Sequence, residues 1–145
     1  MTTLLLHFIY MLFPTCGFCI LFKVPVKKFP ACILIGCLSW TCYQLVMYCN
    51  ATPVLACFAA SCLVGILSDV FSRVFKEAAT IFIIPGILCL VPGAGMYETM
   101  LALLQHDMDA FATSGVNTMM LAGAIAVGLL IVGSLIKGVR SVMRK

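Results

Sequence analysis

Residues 85–97 read Pro85-Gly86-Ile87-Leu88-Cys89-Leu90-Val91-Pro92-Gly93-Ala94-Gly95-Met96-Tyr97, and they lie inside a stretch apolar enough to cross a membrane. Two Pro-Gly pairs seven residues apart are a poor way to build a plain spanning helix. Proline removes a backbone donor and clashes with the carbonyl one turn back. Glycine adds conformational freedom where a helix needs none. In hydrocarbon every freed backbone group must find a new partner, so such breaks survive only where protein or a water-filled cavity surrounds them. Interrupted spans of this kind also point to the place where a transporter holds its substrate.

The rest of the chain supplies the setting. Of 145 residues, 63% are hydrophobic and 10% charged, with a mean hydropathy of +1.18. A soluble domain carries about a quarter charged residues. The composition therefore predicts an integral membrane protein with one membrane domain over residues 1–145 and no separate soluble catalytic domain. A spanning helix needs roughly 20 mostly apolar residues. Five segments qualify, approximately 4–22, 31–49, 53–68, 79–104 and 116–136. The expected fold is all-α, with five transmembrane helices and the fourth broken by the two Pro-Gly pairs. No basic residue precedes the first segment and no small-residue cleavage site follows it, so it reads as a retained span.

Charge alternates between the linkers. Lys23, Lys27 and Lys28 follow the first segment, and the linker at Asn50-Ala51-Thr52 is uncharged. Arg73 and Lys76 lie in the third linker beside Asp69 and Glu77, whereas the fourth holds Asp107 and Asp109 without a lysine or arginine. The tail carries Lys137, Arg140, Arg144 and Lys145. With five spans all nine basic residues fall on one side, which the positive-inside rule makes cytoplasmic. The expected arrangement is a multi-pass protein of the cell membrane with its amino terminus outside and its carboxyl terminus in the cytoplasm. The basic tail is read as a topology anchor, and nucleic acid is not an expected partner. Residues 69–78 read either as a short helix lying at the interface, with Phe71, Val74 and Phe75 at helical spacing, or as a simple turn.

Unwinding at Pro92-Gly93-Ala94-Gly95 exposes amides near mid-bilayer, and the half-helix beginning near Met96 aims its positive end at them. That suits a carboxylate. The alternative is a kinked helix packed tightly on its neighbours. Glu98 is the acidic residue placed within a span, where it can bind a proton or an ammonium group or else snorkel to the outer interface. Tyr97 can hydrogen-bond a substrate or anchor in the interface. The candidate substrate-binding residues are Pro85, Gly86, Pro92, Gly93, Ala94, Gly95, Tyr97 and Glu98.

Other polar positions are weighed against packing. Gly36, Trp40, Gln44 and Tyr48 share a face of the second span, together with nearby Ser39 and Tyr43. They can line a cavity or bond between helices. Asn117 and Thr118 are expected to cap the fifth span. Cys57, Ser61 and Gly65, like Ala124 and Gly128, fit seams of small residues between helices. His7 is expected at the outer end of the first span, interfacial in character. Of nine cysteines, Cys16 and Cys19 form a C-x-x-C. They sit in an apolar span without a second such pair or a nearby histidine, so neither a metal nor another cofactor is expected. The remaining thiols read as small buried hydrophobes.

The stretch from Ile84 to Tyr97 resembles the hallmark P-G-I-x-x-L-V-P-G-x-x-x-Y of the threonine/serine exporter family, in its carboxyl-terminal membrane half, which also occurs as a separate small subunit. Phe22-Lys23-Val24-Pro25-Val26-Lys27-Lys28 is similar to the F-x-V-P-x-K/R sequence after that half's first span. Cys89 stands where many relatives have proline. The resemblance covers essentially the whole chain. It implies export of small amino acids such as threonine and serine, or of small organic acids, from a bacterial cell. It also implies a partner, a larger membrane subunit equivalent to the missing amino-terminal half. A five-span half that begins outside pairs naturally with a half of inverted topology. The expected function is thus a non-enzymatic exporter subunit acting on a small-molecule substrate within the lipid bilayer. The alternatives are a non-transporting accessory or assembly subunit, and a membrane thiol-redox protein using Cys16 and Cys19.

Overall fold

A computed structural model describes the backbone of residues 2–143 and the side chains of residues 10–139. The side chains of His7, Arg140, Arg144 and Lys145 lie outside the described residues. All regular structure among the described residues is helical: α1 (Thr2–Leu21), α2 (Phe29–Tyr48), α3 (Pro53–Phe75), α4 (Thr80–Leu88), α5 (Gly93–Leu104) and α6 (Met108–Met143), with one 3-10 turn at Val26–Lys28 before α2.

Local chemistry sets the ends. Thr52 caps α3 by accepting from the Leu55 amide, with Pro53 in the first turn, where its missing donor costs nothing. The Asp107 carboxylate accepts from the Ala110 amide at 3.0 Å and starts α6. At the other ends the chain turns left-handed at Lys23, Asn50, Lys76 and His106, with φ between 51° and 58°. At Lys23 and His106 the reversal is a Schellman pair: the Val24 amide donates to Cys19 O and Lys23 to Ile20 O, and Asp107 donates to Ala102 O and His106 to Leu103 O.

Three helical stretches, Val26–Tyr48, Pro53–Phe75 and Met108–Val139, are long and apolar enough to cross a membrane, and the pair α4–α5, bent by 58°, makes a fourth if it is one span. The described apolar part of α1, Tyr10–Leu21, is shorter. Neighbouring residues fix the directions. Thr15 meets Gly36, so α1 and α2 run antiparallel around that contact, while Gly65 meets Val132 and Gly128 meets Ser61, so α3 and α6 run parallel. Gly95 meets Thr118 and Gly115 meets Thr99, so α5 and α6 are antiparallel. The chain therefore goes up and down along the bundle. Lys23, Lys27, Lys28, Arg73, Lys76 and Lys137 gather at one end, called here the basic end, and Asp107 and Asp109 lie at the other.

The core forms where α4 enters the bundle. Phe82, Ile35 and Val64 are fully buried, and Phe82 packs on Phe71 and Phe75 with ring centroids 6.2 and 5.9 Å apart. Helix α4 packs on α1, α2 and α3, whereas α5 has α6 as its helical neighbour.

Three expectations are corrected. The fourth segment breaks once, between Leu88 and Gly93, because α4 runs straight through Pro85 and Gly86. Pro85 leaves the Ile81 carbonyl without its usual donor, and the Cys32 thiol lies 3.7 Å from that oxygen and donates to it. The third segment does not stop at residue 68; α3 continues to Phe75. The Arg73–Asp69 pair at 2.7 Å and the Phe71 packing support that extension, so residues 69–75 form neither a separate interfacial helix nor a turn. Helix α6 starts at Met108, well before residue 116, so Asn117 and Thr118 stand in its third turn and cap nothing.

Candidate functional site

The break is built on Pro92. Its φ of −76° and ψ of 65° match an inverse γ-turn, and the Gly93 amide accordingly donates to Val91 O at 2.8 Å. The Met96 amide donates to Pro92 O at 3.1 Å, the first helical bond of α5. Between them the Ala94 and Gly95 amides have no partner among the described residues. They are the orphan donors of a helix start, and the α5 dipole adds partial positive charge there.

Ala94 and Gly95 line a cavity of about 440 Å³, a size typical of small-molecule sites. From α4 and the break, its wall includes Cys89, Leu90, Val91, Pro92, Gly93, Ala94 and Gly95, with Glu98 one turn into α5. Helix α2 contributes Trp40 and Tyr43, and α3 contributes Cys57. Ser114, Asn117, Thr118 and Leu121 of α6 close the remaining side. The cavity exists because α5 turns away from α1–α4 at the break and packs on α6 instead.

Its polar groups are few and specific. The Trp40 indole is stacked on Tyr43, with centroids 5.3 Å apart, and its buried Nε1 has no hydrogen-bond partner among the described residues. A buried donor left unpaired costs free energy. Thr118 is committed to its own helix, donating to Ser114 O at 2.7 Å. The arrangement offers amide and indole donors near the break and a carboxylate, Glu98, one helical turn away.

The sequence-derived candidates divide. Pro92, Gly93, Ala94, Gly95 and Glu98 line the cavity. Pro85 and Gly86 lie deeper in the bundle, and a Cβ added to Gly86 would sit 2.7 Å from Ile35 Cγ2. Tyr97 is 68% exposed and off the cavity wall. Gly95 also has a packing role, since an added Cβ would lie 2.5 Å from Thr118 Oγ1. Of the α2 stripe, Trp40 lines the cavity and Gln44 and Tyr48 do not. Sequence reasoning did not assign Ser114, Asn117 and Thr118 to the site. Their i, i+3, i+4 spacing is the signal that could have done so, once α6 is extended to Met108. Cys19 belongs to the core with Cys32, and no described group of side chains could hold a metal ion.

The family profile described as "Threonine/Serine exporter, ThrE" matches residues 7–135. An uncharacterized protein of Haemophilus influenzae is 28% identical over 143 residues, which cover 93% of this chain and 48% of the relative. The chain thus spans about half the length of that curated relative. No solved structure matches. The profile covers most of the chain, including the break and the cavity-lining part of α6, and the chain belongs to the threonine/serine exporter family.

Proposed function

We propose that the chain is one membrane half of an exporter of small amino acids, threonine and serine foremost, and that the cavity at the Pro92 break holds the substrate. The observation that carries this reading is the pair of unpartnered amides, Ala94 and Gly95, opening on a 440 Å³ cavity. A helix start of this kind suits an anion. A substrate carboxylate placed there takes both amides, and Trp40, whose buried N–H is unpaired among the described residues, stands on the same cavity wall. Glu98 then complements the substrate ammonium group. A zwitterion is matched without an arginine, which would be costly inside the membrane.

The topology follows from the same arrangement. We take α1, α2, α3, the bent pair α4–α5, and α6 as five spans, with the basic end in the cytoplasm and the amino terminus outside. The family relative carries about as much chain again. A larger membrane subunit of inverted topology is the partner that completes the pathway.

The test is flux in proteoliposomes. Co-reconstituted with the larger subunit, the chain should support efflux of labelled threonine or serine; alone it should not. Gly93 has open space where a Cβ would be, so Gly93→Leu should express normally, fill the cavity and stop flux. Efflux at the parental rate by that variant would place the substrate site elsewhere.

A further inference from the structure

Two cavities approach each other along α4. Cys89 stands in the wall of the cavity at the break. A second cavity, of about 190 Å³, opens at the basic end, where Lys23, Pro25, Thr80, Ile84 and Pro85 are among its lining residues. Pro85 and Cys89 are one turn apart, about 6 Å of helical rise, and the Cys89 thiol lies 3.8 Å from Pro85 O. A single turn of α4 therefore separates the two spaces.

That turn is held in a notch. A Cβ on Gly36 would lie 2.7 Å from Thr15 Oγ1 and 3.4 Å from Cys89 Sγ, so α1, α2 and α4 meet there without slack. Thr15, Ser39 and Pro85 are fully buried. Two polar contacts cross between the helices: Thr15 Oγ1 to Cys89 Sγ at 3.2 Å, an ordinary distance for sulfur, and Ser39 Oγ to Gly86 O at 3.5 Å, which is long. Each hydroxyl has a shorter bond within its own helix, Thr15 to Met11 O at 2.7 Å and Ser39 to Gly36 O at 2.8 Å. Withdrawing the Pro85–Cys89 turn would break these two contacts, and the Gly86 carbonyl would give up its long bond from Ser39. Neither hydroxyl would be left unpaired, which is the usual cost of opening a buried polar contact. The Pro92 turn at the far end of α4 lets it tilt without carrying α5, whose helical neighbour is α6.

We infer that Thr15, Ser39 and Cys89 are positioning residues of a gate. Solute passes between the two cavities when the Pro85–Cys89 turn leaves the Gly36 notch. This rests on the transport reading above and adds to it where the pathway is closed.

The test uses the complex with the larger subunit in proteoliposomes. In one form Thr15→Cys is introduced opposite Cys89 with the native cysteines kept, and the parental complex under the same oxidant is the control. Atoms 3.2 Å apart need little movement to reach disulfide geometry. Oxidation should lower threonine flux at least tenfold and reduction should restore it. Substrate-dependent thermal stabilisation should persist in the oxidised form, because the cavity at the break stays intact. The second form is the native complex, with labelling of Cys89 read by peptide mapping. An impermeant thiol reagent added from the basic side should label it at least fivefold faster during turnover than at rest. The gate is overturned by unchanged flux with the bridge formed, by failure of the bridge to form under oxidant, or by equal labelling at rest and in turnover. Absence of flux in the native complex would instead overturn the exporter reading itself.

Discussion

Lys28 and Glu77 form an ion pair across the basic end, tying the turn before α2 to the linker between α3 and α4. The two sides are unequal: the Lys28 side chain is 11% exposed and that of Glu77 42%. The pair shows that the first and third linkers lie together. That is the arrangement the alternating charge of the linkers requires if every other one is to face the same side.

Because of this asymmetry, removing the acid should hurt more than removing the base. Glu77→Gln leaves a buried ammonium without its partner, whereas Lys28→Met leaves a carboxylate that water can reach. Glu77→Gln should cost about 1–2 kcal/mol, discounted for the exposure of Glu77, and Lys28→Met clearly less. Thermal unfolding of the two variants and the double variant in detergent checks this. Equal losses would mean that burial of Lys28 does not decide the energetics.

The same geometry makes a topological prediction. In a cysteine-free background, a thiol introduced at Asp109 should react with an impermeant reagent applied outside intact cells. One at Lys76 should react only after the membrane is opened. Both residues are exposed, so access and not burial decides the result. External labelling at Lys76 would reverse the orientation.

How far the sequence spoke can be judged at particular residues. Composition and apolar run length were enough for an all-helical membrane chain, and Pro92 was enough for the break, since its ring excludes an uninterrupted helix. Pro85 misled, because its cost can be met by a thiol from another helix, Cys32, and no local pattern announces such a partner. The start of α6 was missed because Phe111, Ala112 and Gly115 lie among polar residues, and the Asp107 cap and the packing on α5 that accompany the helical start there are not visible in hydropathy. The α6 side of the cavity wall was hidden for the same reason. Ser114, Asn117 and Thr118 meet Trp40 and Ala94 only once α5 has folded back on α6, a tertiary relation that helical periodicity does not encode.

The seam between α3 and α6 separates packing from function. A Cβ on Gly128 would overlap Ser61 Oγ, and one on Gly65 would lie 2.9 Å from Val132 Cγ1. Gly128→Leu should therefore cost about 1–3 kcal/mol or more through overpacking and reduce the amount of folded protein. Any protein that does fold should bind substrate with unchanged affinity. Fluorescence-detected gel filtration together with substrate-dependent stabilisation distinguishes this from Gly93→Leu, for which normal folding and lost binding are expected.

The indole of Trp40 tests the donor side of the site. Trp40→Phe keeps an aromatic ring to stack on Tyr43 and removes only the N–H. A lost hydrogen bond to a carboxylate is worth about 1.5 kcal/mol, so KM for threonine should rise roughly tenfold with folding intact. An unchanged KM would show that the indole N–H does not meet the substrate.

Glu98 tests the other end. If its carboxylate complements the substrate ammonium group, then Glu98→Gln should act on selectivity more than on abundance, because the residue is exposed on the cavity wall and makes no ion pair among the described residues. The informative competitor is the hydroxy acid analogue of serine, which keeps the carboxylate and lacks the ammonium group. The parental complex should prefer the amino acid, and Glu98→Gln should shrink that preference about tenfold, the effect of roughly 1.4 kcal/mol of lost charge-assisted bonding. The hydroxy acid should be moved at a nearly unchanged rate, since the amides of Ala94 and Gly95 still hold its carboxylate. A variant that loses both substrates equally would place Glu98 in the structure of α5 or in coupling, and a variant that loses neither would leave it as an interfacial carboxylate.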